Sequence, residues 1–235
     1  MADPRSQDGN VAWTDVVRFV RQLSHDLRNH LNAIELQSVY IGEITSDSEV
    51  KTEIQRLREM IAQASTELQR LSAQLAEVNP VLIPYGAADF LNDLKQKVAN
   101  DFEDFGAKTT WDLEMGDAEL KIDPQLLLQA FLELFRNAFQ RRSNGAPPAA
   151  KARVENDQLL FTLHEPKPHH FDLTTDNWGR EPLRHLSQGH YGLGLNRARA
   201  IVEGHGGKLS AHYDSTASVL LSTISLPLLK ERHRP

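Results

Sequence analysis

Ser24-His25-Asp26-Leu27-Arg28-Asn29-His30-Leu31-Asn32 decides how this chain is read. The stretch lies inside a 3–4 pattern of Val20, Leu23, Leu27, Ile34, Ile41 and Ile44, with His30 and Gln37 in the same register. That period predicts a long amphipathic helix. Residues four apart share a helix face, so His25 and Asn29 stand side by side. At about 100° per residue, His25 points away from the apolar seam and toward solvent. A single histidine on a helix is most often a solvated polar side chain. Here it has a carboxylate, Asp26, as its neighbour and an amide, Asn29, one turn on. An imidazole that titrates near neutrality can act as a nucleophile, and a carboxylate beside it can orient the ring or accept its proton. The combination suggests phosphoryl chemistry on histidine rather than metal binding.

Outward from this stretch, Ile54, Leu57, Ile61, Ala64, Leu68, Leu71, Leu75 and Val78 continue the spacing without a break. Thr45-Ser46-Asp47-Ser48 is polar and rich in helix-capping residues, which predicts a turn between two antiparallel helices. A narrow seam of this kind suits a bundle, and a lone hairpin buries little surface. Two hairpins from two copies, making a homodimeric four-helix bundle, is the simple solution.

The 235 residues suffice for one large domain or two small ones, with 40% hydrophobic and 25% charged residues, as expected of a soluble globular protein. A net charge of -6 argues against nucleic-acid binding. With no cysteine, disulfides, thiolate zinc sites and cysteine nucleophiles are excluded. No apolar run of about 18 residues is present, so no membrane-spanning helix is expected, and the polar start does not resemble a signal peptide. A cytoplasmic protein is expected.

Asn79-Pro80 closes the second helix and Pro84 marks a linker. Beyond it the pattern is mixed. A helix is expected over 87–104, strands over 109–113 and 119–122, and a helix from Asp123-Pro124 to about Arg142 with Asp at the N-cap. A hairpin is expected around Asn156-Asp157, from 152–154 and 158–164. Periodicity vanishes over 165–188, as in a functional lid. A helix over 193–203 and strands over 208–212 and 219–226 complete an α/β sandwich with a mixed sheet.

On the Asp123 helix, Glu133 and Asn137 lie four apart on an otherwise apolar segment. Such groups are expensive to bury without partners, and both offer oxygens to a divalent cation such as Mg²⁺. A solvent-facing polar strip is the alternative. Gly189-His190-Tyr191-Gly192-Leu193-Gly194-Leu195 joins the lid to a helix, where glycines and a helix N-terminus favour phosphate. His164, His169, His170, His185 and His190 match no standard zinc spacing, and a polar loop explains them without metal.

Taken in order, these motifs resemble those of two-component histidine kinases. Residues 24–32 resemble the phosphoacceptor box. Glu133-Leu134-Phe135-Arg136-Asn137-Ala138 resembles the N box. Gly192-Leu193-Gly194-Leu195, followed by Ile201-Val202-Glu203-Gly204-His205-Gly206-Gly207, resembles the second glycine box. The resemblance runs over residues 15–228. It implies a tail over 1–11, a dimerisation and histidine-phosphotransfer hairpin over 12–79, a linker over 80–84, a Bergerat-type ATP-binding domain over 85–230 and a tail over 231–235. It implies that His25 is the phosphoacceptor, that Asp26 assists proton removal, and that Asn29 takes the polar position used in dephosphorylating a partner. Asn137, supported by Glu133, becomes the Mg²⁺-phosphate ligand, and Gly192 and Gly194 the phosphate-side hinge.

The first glycine box departs from the family. Where Asp-x-Gly-x-Gly is expected, the chain has Glu165-Pro166-Lys167-Pro168-His169. Glu165 keeps an acceptor for the adenine amino group, one methylene longer, but both glycines are absent. Phe171 and Trp178 are the substitutes available for a phenylalanine box. Two readings follow. One is a histidine kinase that autophosphorylates His25 from ATP and Mg²⁺ and passes the group to an aspartate of a response-regulator receiver domain. The other is an ATP-independent phosphotransfer adaptor with a decayed ATPase domain. A helical scaffold without phosphorylation is a third reading, which the exposed His-Asp-Asn arrangement disfavours. With few residues before the hairpin, a separate sensor protein is expected to supply the signal.

Overall fold

The computed structural model describes residues 12–102, 106–140, 146–167, 179–180 and 192–229. The chain forms two compact units, Met1–Ala76 and Glu77–Pro235.

The first unit is an antiparallel hairpin of α1 (Trp13–Ile44) and α2 (Ser48–Gln74). Asp47 caps α2, its Oδ1 accepting from the N–H groups of Glu49 (2.8 Å) and Val50 (3.4 Å). This satisfies two of the donors that a helix start leaves without an intrahelical partner. The face of α1 turned to α2 is not the apolar seam read from sequence. It carries Val20, Ser24, Arg28, Leu31, Glu35 and Ser38, with Ser24 and Ser38 buried. Its rungs are polar: Arg28 donates to Ser72 Oγ (3.5 Å), and Arg58 pairs with Glu35 (3.3 Å). Leu23, Leu27, Ile34, Ile41 and Ile44 are instead exposed on the hairpin's outside. The period was legible. Which neighbour the stripe faces was not, because helical period alone does not say on which side a partner packs.

The second unit begins with β1 (Ile83–Gly86), α3 (Ala87–Asp101), β2 (Thr110–Glu114) and β3 (Glu119–Ile122). It continues with α4 (Pro124–Gln140), β4 (Ala149–Glu155), β5 (Gln158–Pro166), α5 (Gly194–Gly204), β6 (Lys208–Asp214) and β7 (Val219–Pro227). The main sheet has the order β2-β4-β5-β7-β6, with β2 parallel to β4 and every other pair antiparallel. It is therefore mixed, as expected. β1 opens inside the stretch read as linker and pairs antiparallel with β3. Pro80 and Pro84 hid it: a proline is tolerated on the edge of a two-stranded ribbon but reads as a breaker in sequence. Asn156 and Asp157, both at positive φ (51° and 58°), form the two-residue turn between β4 and β5.

The core lies between the sheet and its helices. Phe131 on α4 meets Phe90 on α3 (ring centroids 5.1 Å) and Phe161 on β5 (4.8 Å), all essentially inaccessible to solvent. Strand alternation fixes which β5 residues join them: Leu159, Phe161, Leu163 and Glu165 are buried and their neighbours less so. Asp123 ties three segments together. Its Oδ1 accepts from Leu126 N–H (3.0 Å), capping α4, and its Oδ2 accepts from Val81 N–H (3.1 Å). Its own N–H donates to Nε2 of buried His205 (3.0 Å), just past α5. His205 Nδ1 in turn faces Ile201 O (2.7 Å), so the ring is the neutral Nδ1–H tautomer.

Candidate functional site

The hairpin presents one chemically equipped patch. His25 and Asp26 stand on the outside of α1, their side chains 64% and 52% exposed. His25 Nδ1 lies 3.2 Å from Asp26 Oδ1 and 3.4 Å from Asn29 Nδ2. Gln22 Nε2 donates to the same Asp26 oxygen (2.9 Å) and holds the carboxylate in place. His25, Asp26 and Asn29 thus stand together on one face, and Gln22, one turn before Asp26, joins them without having been read from the sequence. An ionised carboxylate only accepts, so Nδ1 donates to Asp26, and the Asn29 amide, turned over, faces that N–H with its oxygen. Nε2 keeps its lone pair and makes no hydrogen bond among the described residues. The ring is thus arranged to attack an electrophile through Nε2 while Asp26 balances the charge gained at Nδ1.

In the second unit, α4 sets Glu133 and Asn137 one turn apart, and Glu133 is ion-paired with Arg136 on its own helix. Gly194, the first residue of α5, packs so closely on Glu133 that a Cβ there would run into the carboxylate. Gly192 sits at φ 65°, a conformation open to glycine at no steric cost. Glu133 and Gly194, distant in sequence, are thus brought together. Asn137 Nδ2 is buried with no hydrogen-bond partner among the described residues. A buried amide left this way costs free energy until a ligand satisfies it. It fits a phosphate oxygen, or, with the amide turned over, a cation.

Glu165, which the resemblance sets at the base of a nucleotide, is already paired with a lysine. It is 3% exposed, and its Oε2 lies 3.1 Å from Nζ of Lys167, which is 4% exposed. Its Oε1 accepts from Ser222 Oγ on β7 (3.4 Å). Oε1 thus accepts a hydrogen bond, while Oε2 is held to Lys167 by charge. Lys167 and Ser222 were missed from sequence, although alternation along β5 already places residues 165 and 167 on one face. Among the described residues no group of three or more His, Asp or Glu side chains is set to hold a metal. Of the lid histidines only His164 is described; burial, then the charge of Lys151, lowers its pKa below the ordinary 6.5. His169, His170, His185, His190, Phe171 and Trp178 lie outside the described residues.

A helical hairpin followed by an α/β unit with a mixed five-stranded sheet is the fold of a histidine-kinase core with its ATPase-type domain. The crystal structure of full-length ShkA in complex with AMPPNP superposes with a TM-score of 0.67 at 16% identity, covering 91% of this chain and 46% of that one. The chain thus spans less than half the length of ShkA. The mycobacterial sensor histidine kinase MprB gives a TM-score of 0.50 at 17% identity, covering 63% of this chain and 98% of that one. No protein-family model and no curated protein matches the sequence. Among the described residues no helix is long and apolar enough to cross a membrane.

Proposed function

We propose that this chain is a cytoplasmic two-component phosphotransfer core in which His25 carries a phosphoryl group to or from an aspartate of a response-regulator receiver domain. The observation that carries this reading is the exposed His25 ring with Nδ1 turned to Asp26 and Nε2 open to solvent. In the accepting direction, the Nε2 lone pair attacks the phosphorus of an aspartyl phosphate. The P–O bond to the receiver breaks and leaves a carboxylate, and the Nδ1 proton shifts toward Asp26. In the donating direction the receiver carboxylate attacks phosphorus, the P–N bond breaks, and Nδ1 keeps or regains its proton. Asn29, beside the ring, is positioned to orient a water for hydrolysis of the receiver's phosphoryl group.

The exposed apolar stripe of α1 supports a homodimer, with a second hairpin completing a four-helix bundle. ATP-dependent autophosphorylation, with Mg²⁺ held by Asn137 and Glu133, is the second reading; the unsatisfied Asn137 amide and the glycines at 192 and 194 favour it. The ion pair at Glu165, where the resemblance sets the nucleotide base, disfavours it. The test is to charge receiver domains with radiolabelled acetyl phosphate and mix them with the pure protein. Acid-labile, alkali-stable label should pass to the wild type and not to His25→Gln. Label on both proteins, or on neither with any receiver, would refute the proposal.

A further inference from the structure

We infer that Lys167 is a built-in occupant of the nucleotide-base position, so that the ATPase-type unit does not bind ATP and the phosphoryl group on His25 comes from another phosphoprotein. This deepens the phosphotransfer reading and rests on it for the role of His25.

The inference starts from strand geometry. β5 pairs with β7 through Pro166 opposite Val219, and Lys167 N–H donates to Ser218 O (2.8 Å) in the turn before β7. In an extended strand residues i and i+2 project to the same side, about 6.5–7 Å apart. Leu159, Phe161, Leu163, Glu165 and Lys167 therefore form one inward row, and each is buried. A glycine at 167 would leave the space beside Glu165 open. A lysine fills it, and its flexible stem turns the ammonium back onto the carboxylate at 3.1 Å.

The amino group of an adenine is an N–H donor that needs a carboxylate acceptor. Lys167 sets a positive charge, tethered two residues away, against the same carboxylate. Ser222 takes the other oxygen. An incoming base must displace the ammonium from the buried carboxylate. Breaking such pairs by removing one partner is strongly destabilising, enough to weaken binding by at least about a hundredfold.

The experiment is calorimetric titration of ATP with Mg²⁺ into the full chain as wild type, Lys167→Gly and the uncharged pair Glu165→Gln/Lys167→Gly, with folding checked by circular dichroism. The wild type should give no binding heat at millimolar ATP, and at least one opened variant should bind about tenfold or more tightly than that limit. Saturable ATP binding by the wild type overturns the inference whether or not the variants fold. Folded variants that stay silent overturn it too, because Lys167 would not be what closes the position. Label transfer from a charged receiver to wild-type His25, without nucleotide, is read separately. Its loss would count against the phosphotransfer reading and leave the titration result standing.

Discussion

Asp26 accepts from His25 Nδ1 and is itself steadied by Gln22, so the ring is oriented before any partner arrives. Asp26→Asn keeps the shape but removes the proton acceptor. General-base assistance is worth roughly 10²–10⁴ in rate, so transfer to His25 should slow by about a hundredfold or more while receiver binding changes little. Rapid-quench transfer kinetics alongside a binding titration separate the two effects. At the other unit, Gly194→Ala sets a methyl against the Glu133 carboxylate. Overpacking of this kind costs about 1–3 kcal/mol, and Glu133→Ala should relieve most of it in the double variant, as read from urea melts. That His25, Asp26 and Asn29 stand together was legible because helical spacing fixes neighbours locally. The partners of Glu165 were not, because a glycine-box comparison asks what is missing at 167 and not where a lysine placed there would reach.

Elements rest on caps and on aromatic packing. Asp123→Ala removes the α4 cap together with the bond to Val81 N–H, and should cost about 1 kcal/mol in chemical unfolding. The Leu126 N–H bond holds the Asp123 carboxyl below its ordinary 3.8. Its stabilisation is therefore complete above pH 3.8 and is lost as pH falls through the lower folded value. An acid titration of stability should be flatter in the variant over that window. Phe131→Ala removes a ring that touches both Phe90 and Phe161 and should destabilise the α/β unit by about 3–5 kcal/mol by the same method. Sequence located nearly every helix and strand because period and capping are local signals. It missed β1, whose existence depends on β3, some thirty-five residues away. It also stopped α3 too late, at 104 where the helix ends at Asp101.

At the scale of the whole molecule, the hairpin sets polar pairs between its own helices and exposes its apolar stripe. That inversion is what a second copy would repair. Ile34→Glu with Ile41→Glu should halve the mass seen by sedimentation equilibrium while the helical circular dichroism signal per residue falls only modestly. The fold follows from periodicities the sequence displays openly; the source of the phosphoryl group turns on one buried ion pair that it does not. The most direct measurement is ¹⁵N imidazole NMR of the protein after phosphoryl transfer from a charged receiver. The account predicts a single phosphorylated ring, that of His25, substituted at Nε2 with Nδ1 protonated. Phosphoryl on Nδ1 of His25, or on any other residue, would contradict it.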